Sequence, residues 1–188
     1  MNFCLVIGEA GIGKTTAVAN ALQNAVIRGV FKQPMAHIVY DAKNGRYGCQ
    51  LGTPANSGTA FSGSDGLAYN IAPYVVPFIT DSGFDSVICE GDRLANMKII
   101  NKLELEGWKV EVVHLYSPNA EFAISRRANR AEITKKTQNE KWAKSRRTKS
   151  WNLARNIDTC KWIDVTTSIP ENELMKMSAF KQLIETGK

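Results

Sequence analysis

The chain has 188 residues, of which 44% are hydrophobic and 22% charged, an ordinary composition for a globular protein of one domain. It has no apolar run near the roughly 18 residues that span a bilayer, and its N-terminus lacks the basic segment of a signal peptide. Four scattered cysteines and two histidines favour neither a zinc site nor a disulfide framework. We therefore expect a cytoplasmic protein with no membrane partner, folded as one domain over residues 1–188.

The net charge of +6 is concentrated in one part of the chain. Residues 126–155 contain eleven basic and two acidic side chains, a net charge of +9, which leaves −3 for the rest of the chain. A mildly acidic body with one strongly basic segment indicates an anionic partner.

Hydrophobic patterning predicts strands that alternate with helices along the chain. Residues 3–7 read as a buried strand ending in a glycine-rich turn, residues 15–29 have helical periodicity, and residues 36–41 read as a second strand. Residues 42–66 are rich in Gly, Ser and Asn, which predicts a long loop, and such loops are usually functional. Helical periodicity resumes over residues 67–80.

The second half of the chain continues the alternation. Residues 84–90 and 108–116 are predicted strands, each followed by a helix, and residues 160–167 and 170–185 are a predicted fifth strand and a closing helix. This order predicts an α/β fold of three layers, with a parallel sheet of about five strands and helices on both faces. The basic segment, over about residues 120–155, is expected to form a lid.

The residues from Gly8 to Thr15 match the pattern G-x-x-x-x-G-K-[ST], the P-loop, between a predicted strand and a predicted helix. The glycines let backbone N–H groups converge on phosphate oxygens, and the helix N-terminus adds the positive end of its dipole. Lys14 is placed to reach the β- and γ-phosphates, and the Thr15 hydroxyl to bind Mg²⁺. The motif therefore predicts a site for a nucleoside triphosphate.

Acidic residues follow the third predicted strand. Glu90 comes directly after the apolar run, where P-loop proteins need a carboxylate near Mg²⁺, so we expect it at the metal site. Asp92 and Arg93 come next and are candidates to face the acceptor of the phosphate. The alternative is that Asp92 only caps a helix beginning at Arg93.

Two aspartates are candidates for the general base that accepts the proton of an acceptor hydroxyl. Asp41 closes the second predicted strand, a position used for this purpose in analogous phosphotransferases. Asp65 lies in the glycine-rich stretch FSGSDG, and either aspartate could instead belong to an ordinary turn. The residues expected to contact the acceptor are Arg46, Ser62, Asp65, Asp92 and Arg93.

The basic segment supplies two further sets of candidates. Arg126 and Arg130 share one helix face and could stabilise the charge on a transferred phosphoryl group. Aromatic residues interleaved with cations suit stacking on bases and contact with phosphates, although a solvated basic face would show the same charge. The residues expected to contact nucleic acid are Arg127, Lys141, Trp142, Arg146, Arg147, Lys149 and Trp151.

The loop GEAGIGKTT, the strand end EGDR and the later arginine-rich region together resemble the thymidylate-kinase-like branch of P-loop kinases. More narrowly, FSGSDGLAYN, ICEGDRLANMKII, SRRANR and KWAKSRRTKSWNLA resemble phage-encoded P-loop kinases, among them the 5-hydroxymethyluracil DNA kinases. The resemblance implies Mg²⁺ near Thr15 and Glu90, and a flipped base near Asp41 or Asp65. It also implies ATP on Gly8, Glu9, Ala10, Gly11, Ile12, Gly13, Lys14, Thr15 and Thr16.

These patterns lead to one preferred function and two alternatives. The preferred function is transfer of the γ-phosphate of ATP to the hydroxymethyl group of 5-hydroxymethyluracil in DNA, with DNA as the anionic partner in a viral genome. The first alternative is a kinase for a free nucleotide or small metabolite. The second is a P-loop NTPase that DNA stimulates and that transfers no phosphate to it.

Overall fold

The computed structural model describes residues 1–42, 45–53, 63–135 and 137–184. The strands are β1 (Asn2–Gly8), β2 (Ile27–Phe31), β3 (His37–Asp41), β4 (Tyr47–Leu51), β5 (Ser86–Glu90), β6 (Lys109–Tyr116) and β7 (Lys161–Asp164). The helices are α1 (Lys14–Ala21), α2 (Ala72–Asp81), α3 (Met97–Leu105), α4 (Ala120–Thr134), α5 (Glu140–Arg155), α6 (Pro170–Leu174) and α7 (Ser178–Ile184). Among these described residues, no helix is long and apolar enough to cross a membrane.

The described strands form one sheet in the order β2-β3-β4-β5-β1-β6-β7. The five strands from β4 to β7 in this order run parallel, and β3 runs antiparallel to both β2 and β4. The predicted α/β fold is confirmed, with seven strands in place of about five. Since β3 is reversed, its C-terminal end lies at the opposite edge of the sheet from the C-terminal ends of β1, β5 and β6.

The additional strands correct two sequence predictions. The first helix ends at Ala21, and the chain then enters the edge strand β2 inside the range 15–29 that periodicity predicts to be helical. The strand β4 lies within the predicted loop 42–66 and is buried from Gly48 onward. A Cβ atom on Gly48 would lie 2.2 Å from Cδ2 of Leu183, so this glycine permits close packing of α7 on the sheet.

Hydrophobic cores cover both faces of the sheet. On one face, side chains such as Leu5 pack with Val75 of α2 and Leu153 of α5. On the other face, Val6 packs with Phe180 of α7 and with residues of α1. Each face of the parallel strands is therefore covered, which explains why β1 and β5 read as continuous apolar runs.

Helix boundaries near the ends of the central strands also differ from the predictions. The helix after β5 begins at Met97, where the Asn96 side chain accepts a hydrogen bond from the Ile99 N–H at 3.1 Å, and not at Arg93. The helix predicted over 67–80 begins at Ala72, and the closing helix is divided into α6 and α7. Asp92 therefore caps no helix, and residues 91–96 form a connection at the carboxyl edge of the sheet.

Candidate active site

The P-loop connects β1 to α1 at the carboxyl edge of the sheet. Gly8, Gly11 and Gly13 have φ angles of 149°, 86° and 103°, a region that other residues rarely adopt. The ammonium group of Lys14 folds back over the loop and donates to the carbonyl oxygens of Gly8 and Glu9 at 3.0 Å each. The loop therefore has the strained, glycine-dependent shape that phosphate binding requires, with a cation over it.

The helix α4 lies directly against this loop. A Cβ atom on Gly11 would lie 2.7 Å from Cγ of Arg127, and one on Gly13 would lie 3.2 Å from Nη1 of Arg126. The guanidinium group of Arg127 donates to the carbonyl oxygen of Ala10 at 2.8 Å. Gly11 and Gly13 thus have two functions: they permit the backbone turn, and they leave room for the arginines of α4.

A cavity of about 220 Å³ opens above the P-loop, and we call it the donor cavity. Arg126 and Arg130 reach it from one face of α4, together with Lys14 from below. Three cations around one small cavity suit the clustered negative charge of a triphosphate. The lining residues are Ala10, Gly11, Gly13, Lys14, Thr15, Thr16, Asp65, Glu90, Arg126, Arg130, Gln138 and Trp142.

Glu90 is the buried acidic residue of the donor cavity, with 1% of its surface exposed. The hydroxyl of Thr15 donates to its Oε1 at 2.7 Å. Burial raises the pKa of Glu90 to about 7, although Lys14 and the Thr15 hydrogen bond oppose the shift. A hydroxyl beside a carboxylate is an oxygen donor set of the kind that Mg²⁺ prefers, so Thr15 and Glu90 fit a magnesium site.

Residues 63–66 of the glycine-rich stretch lie over the end of β5. Gly63 has a φ of 58°, and a Cβ atom there would lie 2.0 Å from Oε1 of Glu90. A Cβ atom on Gly91 would lie 3.0 Å from Cγ of Asp65. Both glycines are therefore needed for a close approach, which holds the short 3₁₀ helix Ser64–Gly66 against the metal-site candidate.

Asp65 is held in this short helix by the connection after β5. Its Oδ1 accepts hydrogen bonds from the backbone N–H groups of Asp92 at 2.8 Å and Arg93 at 3.2 Å. Its side chain lines the donor cavity and also a second, neighbouring cavity. The carboxylate is thus fixed through one oxygen at the junction of two cavities.

The second cavity has a volume of about 380 Å³, and we call it the acceptor cavity. It lies between the connection after β5, the start of the segment before α2, and one face of α5. Its size is in the usual range for small-molecule sites. The lining residues are Thr53, Asp65, Gly66, Leu67, Tyr69, Asp92, Arg93, Trp142, Arg146 and Lys149.

Asp92 attaches α5 to the end of β5. Its carboxylate forms ion pairs with Arg146 and with Lys149, the latter at 3.3 Å from Nζ to Oδ1. The same Nζ of Lys149 donates to the backbone carbonyl oxygen of Asp92 at 2.9 Å. Asp92 therefore positions two cations of the acceptor cavity, which neither of its sequence interpretations anticipated.

Two predicted site residues lie away from both cavities. Asp41 ends the reversed strand β3 and pairs with Arg28 at 2.6 Å, and Arg46 precedes β4 and pairs with Asp85 at 2.7 Å. Because β3 runs antiparallel to β4, both residues lie at the edge of the sheet opposite the P-loop. The structure thus places Asp41 and Arg46 apart from the residues that line the two cavities. Ser62 lies outside the described residues.

The predicted nucleic-acid residues divide into several groups. Trp142, Arg146 and Lys149 line the acceptor cavity at i, i+4 and i+7 of α5. Lys141 is exposed beside them, whereas Arg147 is half-buried and acts electrostatically on the buried P-loop residue Glu9.

Two members of the predicted nucleic-acid set have local structural contacts instead. Arg127 contacts the P-loop through the Ala10 carbonyl oxygen. Trp151 packs in an aromatic cluster with His114, Tyr116 and Trp162, its ring centroid 5.0 Å from that of Trp162. Trp151 is thus held by the fold, and its assignment to nucleic acid loses its support.

Apart from Gly66 of the FSGSDG stretch, sequence reasoning missed four lining residues: Thr53, Leu67, Tyr69 and Gln138. An aromatic residue at the end of a glycine-rich stretch was the available signal for Tyr69. The other three have no local pattern, since they reach the cavities only through the packing of distant segments.

Comparison with protein families gives a match over residues 1–179 to the model described as P-loop Nucleotide Kinase3. No curated protein and no solved structure matches the chain. The match spans the P-loop, both cavities and the basic helices. The chain therefore belongs to the P-loop Nucleotide Kinase3 family.

Proposed function

We propose that this kinase transfers the γ-phosphate of ATP to the hydroxymethyl group of 5-hydroxymethyluracil in DNA, with Asp65 as the general base. The observation that carries the proposal is the position of Asp65, whose side chain lines both the donor and the acceptor cavity. A base that serves this reaction must touch the acceptor hydroxyl while the hydroxyl faces the γ-phosphate.

The donor cavity supplies the groups that bind and neutralise the triphosphate. Backbone N–H groups of the P-loop and the Lys14 ammonium hold the phosphates, and Arg126 and Arg130 face them from α4. Thr15 and Glu90 would hold Mg²⁺, which would offset the negative charge of the phosphates.

The transfer itself is a substitution at the γ-phosphorus. The acceptor oxygen forms a bond to this phosphorus, the bond to the oxygen that bridges the β- and γ-phosphates breaks, and ADP leaves. The hydroxyl proton passes to Asp65, through the Oδ2 atom, since Oδ1 is engaged by two backbone N–H groups. The adjacency of the two cavities at Asp65 supports this path for the proton.

Charge around the acceptor cavity supports a polyanionic acceptor. The lining has three basic side chains and two acidic ones, so its net charge is positive. The basic residues are Arg93, Arg146 and Lys149, and the acidic residues are Asp65 and Asp92. On α5, exposed lysines at 141 and 144 continue the positive surface beyond the cavity rim. A strand whose target base enters the cavity would meet these cations with its phosphates, after extrusion of the base if the substrate is a duplex.

A free nucleotide is the second candidate acceptor, and one observation favours it. Arg146 and Lys149 are attached to Asp92 in the lining of the cavity, where they could hold a single phosphate. Free 5-hydroxymethyl-deoxyuridine monophosphate would then fill the acceptor cavity by itself.

Radiolabelled ATP distinguishes these acceptors. The enzyme is incubated with three samples: an oligonucleotide containing 5-hydroxymethyluracil, the same oligonucleotide with thymine, and the free hydroxymethyl nucleotide. We expect label in the first oligonucleotide alone. Label only in the free nucleotide would replace DNA with a nucleotide acceptor, and phosphate release stimulated by both oligonucleotides without labelling would indicate an NTPase.

A further inference from the structure

Two arginine–aromatic pairs lie around the acceptor cavity. The guanidinium carbon of Arg93 lies 3.8 Å from the centroid of the Tyr69 ring, and that of Arg146 lies 5.5 Å from the centroid of the Trp142 ring. All four side chains line the cavity. The two pairs come from different segments, one before α2 and after β5, the other on α5.

The exposure of Tyr69 is hard to explain by folding. Its side chain is 91% exposed, so it contributes almost nothing to the hydrophobic core. Nevertheless a guanidinium group is stacked on it, which fixes the plane of a ring that would otherwise rotate in solvent. An aromatic ring held at the rim of a cavity suits a planar ligand.

We propose that these two pairs hold the planar ring of the acceptor base, by stacking on Tyr69–Arg93 and on Trp142–Arg146. This inference rests on the proposed function for the chemistry of the acceptor, and it adds the residues that recognise the base. Bases stack on aromatic rings and guanidinium planes alike, whatever their sequence.

The polar groups around the ring indicate which bases fit. Guanidinium and ammonium groups only donate hydrogen bonds, and three of them line the cavity. The carboxylate of Asp92 is engaged by Arg146 and Lys149, and Oδ1 of Asp65 by backbone N–H groups. A ring with carbonyl oxygens, as in uracil, therefore finds hydrogen-bond donors on this lining.

The fluorescence of Trp142 tests this stacking without any phosphate transfer. Short single-stranded oligonucleotides with a central thymine, a central cytosine or a central abasic site, all flanked by abasic sites, are titrated into the enzyme. Thymine and cytosine should each quench part of the tryptophan emission, because stacking does not depend on the identity of the base. The abasic oligonucleotide has the same phosphates and should cause no quenching.

Three variants identify the residues. Trp142→Phe retains a stacking ring, so it should bind thymine with similar affinity but lose the quenching. Tyr69→Ala should weaken binding of the thymine oligonucleotide by about 5- to 100-fold, the range expected for loss of one base-stacking contact. The matched control is Tyr74→Ala, since Tyr74 is also exposed, at 62%, but lies outside the cavity lining, and it should bind as wild type.

Two results would overturn the inference. One is equal quenching by the abasic and thymine oligonucleotides, which would show that phosphate alone is bound. The other is unchanged binding by Tyr69→Ala in a protein that unfolds at the wild-type temperature. Because binding is measured without ATP, base recognition can fail while labelled phosphate is still transferred, and the proposed function can fail while thymine still stacks.

Discussion

Asp65 combines two properties in one residue. One carboxylate oxygen is fixed by two backbone N–H groups, and the residue lines two cavities. Glu90, at the end of β5, is a different carboxylate: it is almost fully buried and paired with Thr15. The different surroundings of these two groups suit the different roles that we propose for them, one with the proton of the acceptor and one with the metal ion.

Replacement of Asp65 by Asn should remove the proton acceptor while preserving most of the local packing. We expect kcat for phosphate transfer to fall by roughly 10²- to 10⁴-fold, the usual contribution of a general base, with a near-normal KM for ATP. Steady-state kinetics measure both. Asp41→Asn is the matched control, and a comparable loss of kcat in that variant would move the base to the other edge of the sheet.

Glu90 should make stability depend on pH in the metal-free protein. Its pKa is raised from 4.5 to about 7, so between these values the folded state binds more protons than the unfolded state, and stability falls as pH rises. The total loss is roughly 3 kcal/mol. Urea unfolding with EDTA should show that Glu90→Gln removes this slope and is more stable than wild type at pH 8.

The same substitution should impair function at that pH. Without the carboxylate, the Mg²⁺ concentration for half-maximal transfer should rise, while binding of ATP in EDTA should change little. A Glu90→Gln enzyme with the wild-type Mg²⁺ requirement would contradict the metal assignment, whatever its stability.

At the scale of elements, α5 is held by Asp92, and so the acceptor cavity depends on the contact of this helix with the end of β5. Asp92→Asn removes the carboxylate that Arg146 and Lys149 share. We expect the KM for the acceptor to rise several-fold with little change in the KM for ATP. The free energy of unfolding should fall by about 1–2 kcal/mol, since both cations remain partly exposed.

Chemical unfolding measures the change in stability. Steady-state kinetics, in which the concentrations of acceptor and of ATP are varied separately, measure the two KM values. Asp158→Asn is the control, because Asp158 is an exposed acidic residue outside the cavity lining. If Asp92→Asn lowered kcat and left the acceptor KM unchanged, Asp92 would act on the reaction itself and not through the position of α5.

Sequence patterns predict the elements that have a strong local signal. The apolar runs of β1 and β5, the P-loop between β1 and α1, and Glu90 after β5 are all readable from neighbouring residues. In contrast, β4 is short and contains Gly48, which packing against Leu183 requires, so its glycine reads as a loop signal. The strand β2 is exposed and follows helical periodicity without a break.

Strand direction explains why Asp41 lies away from the P-loop. Period-two patterning identifies β3 but does not tell whether it runs parallel or antiparallel to its neighbours, and that choice decides which edge receives Asp41. The acceptor cavity could not be predicted either, for a related reason. It is assembled from Thr53, Tyr69, Arg93 and α5, which only the tertiary structure brings together.

In the folded protein, the segment with a net charge of +9 lies beside the two cavities, and the rest of the chain has a net charge of −3. The basic segment becomes α4 and α5, which cover the donor cavity and one side of the acceptor cavity. Some of its basic side chains contact other parts of the protein. Arg127 donates to a carbonyl oxygen of the P-loop, and Arg146 and Lys149 pair with Asp92.

The exposed lysines of α5 should account for much of the salt dependence of DNA binding. The logarithm of affinity for single-stranded DNA should fall linearly with the logarithm of salt concentration, with a slope of about −0.7 for each phosphate neutralised. Replacing Lys141 and Lys144 together by Ala should reduce the magnitude of that slope by about 1.4, since each lysine would neutralise one phosphate. Fluorescence anisotropy measures it, and Lys98→Ala, an exposed change outside the basic segment, should leave the slope unchanged.

The most direct test of the account is the chemical position of the phosphate after reaction. DNA containing 5-hydroxymethyluracil is incubated with ATP, Mg²⁺ and enzyme. It is then digested with nucleases, without a phosphatase that would remove the modification, and analysed by mass spectrometry. If the protein transfers phosphate to this group, we expect a phosphate ester on the hydroxymethyl group with the wild-type enzyme and none with Lys14→Ala. Hydroxymethyl groups that remain unmodified while wild type converts ATP to ADP would contradict it.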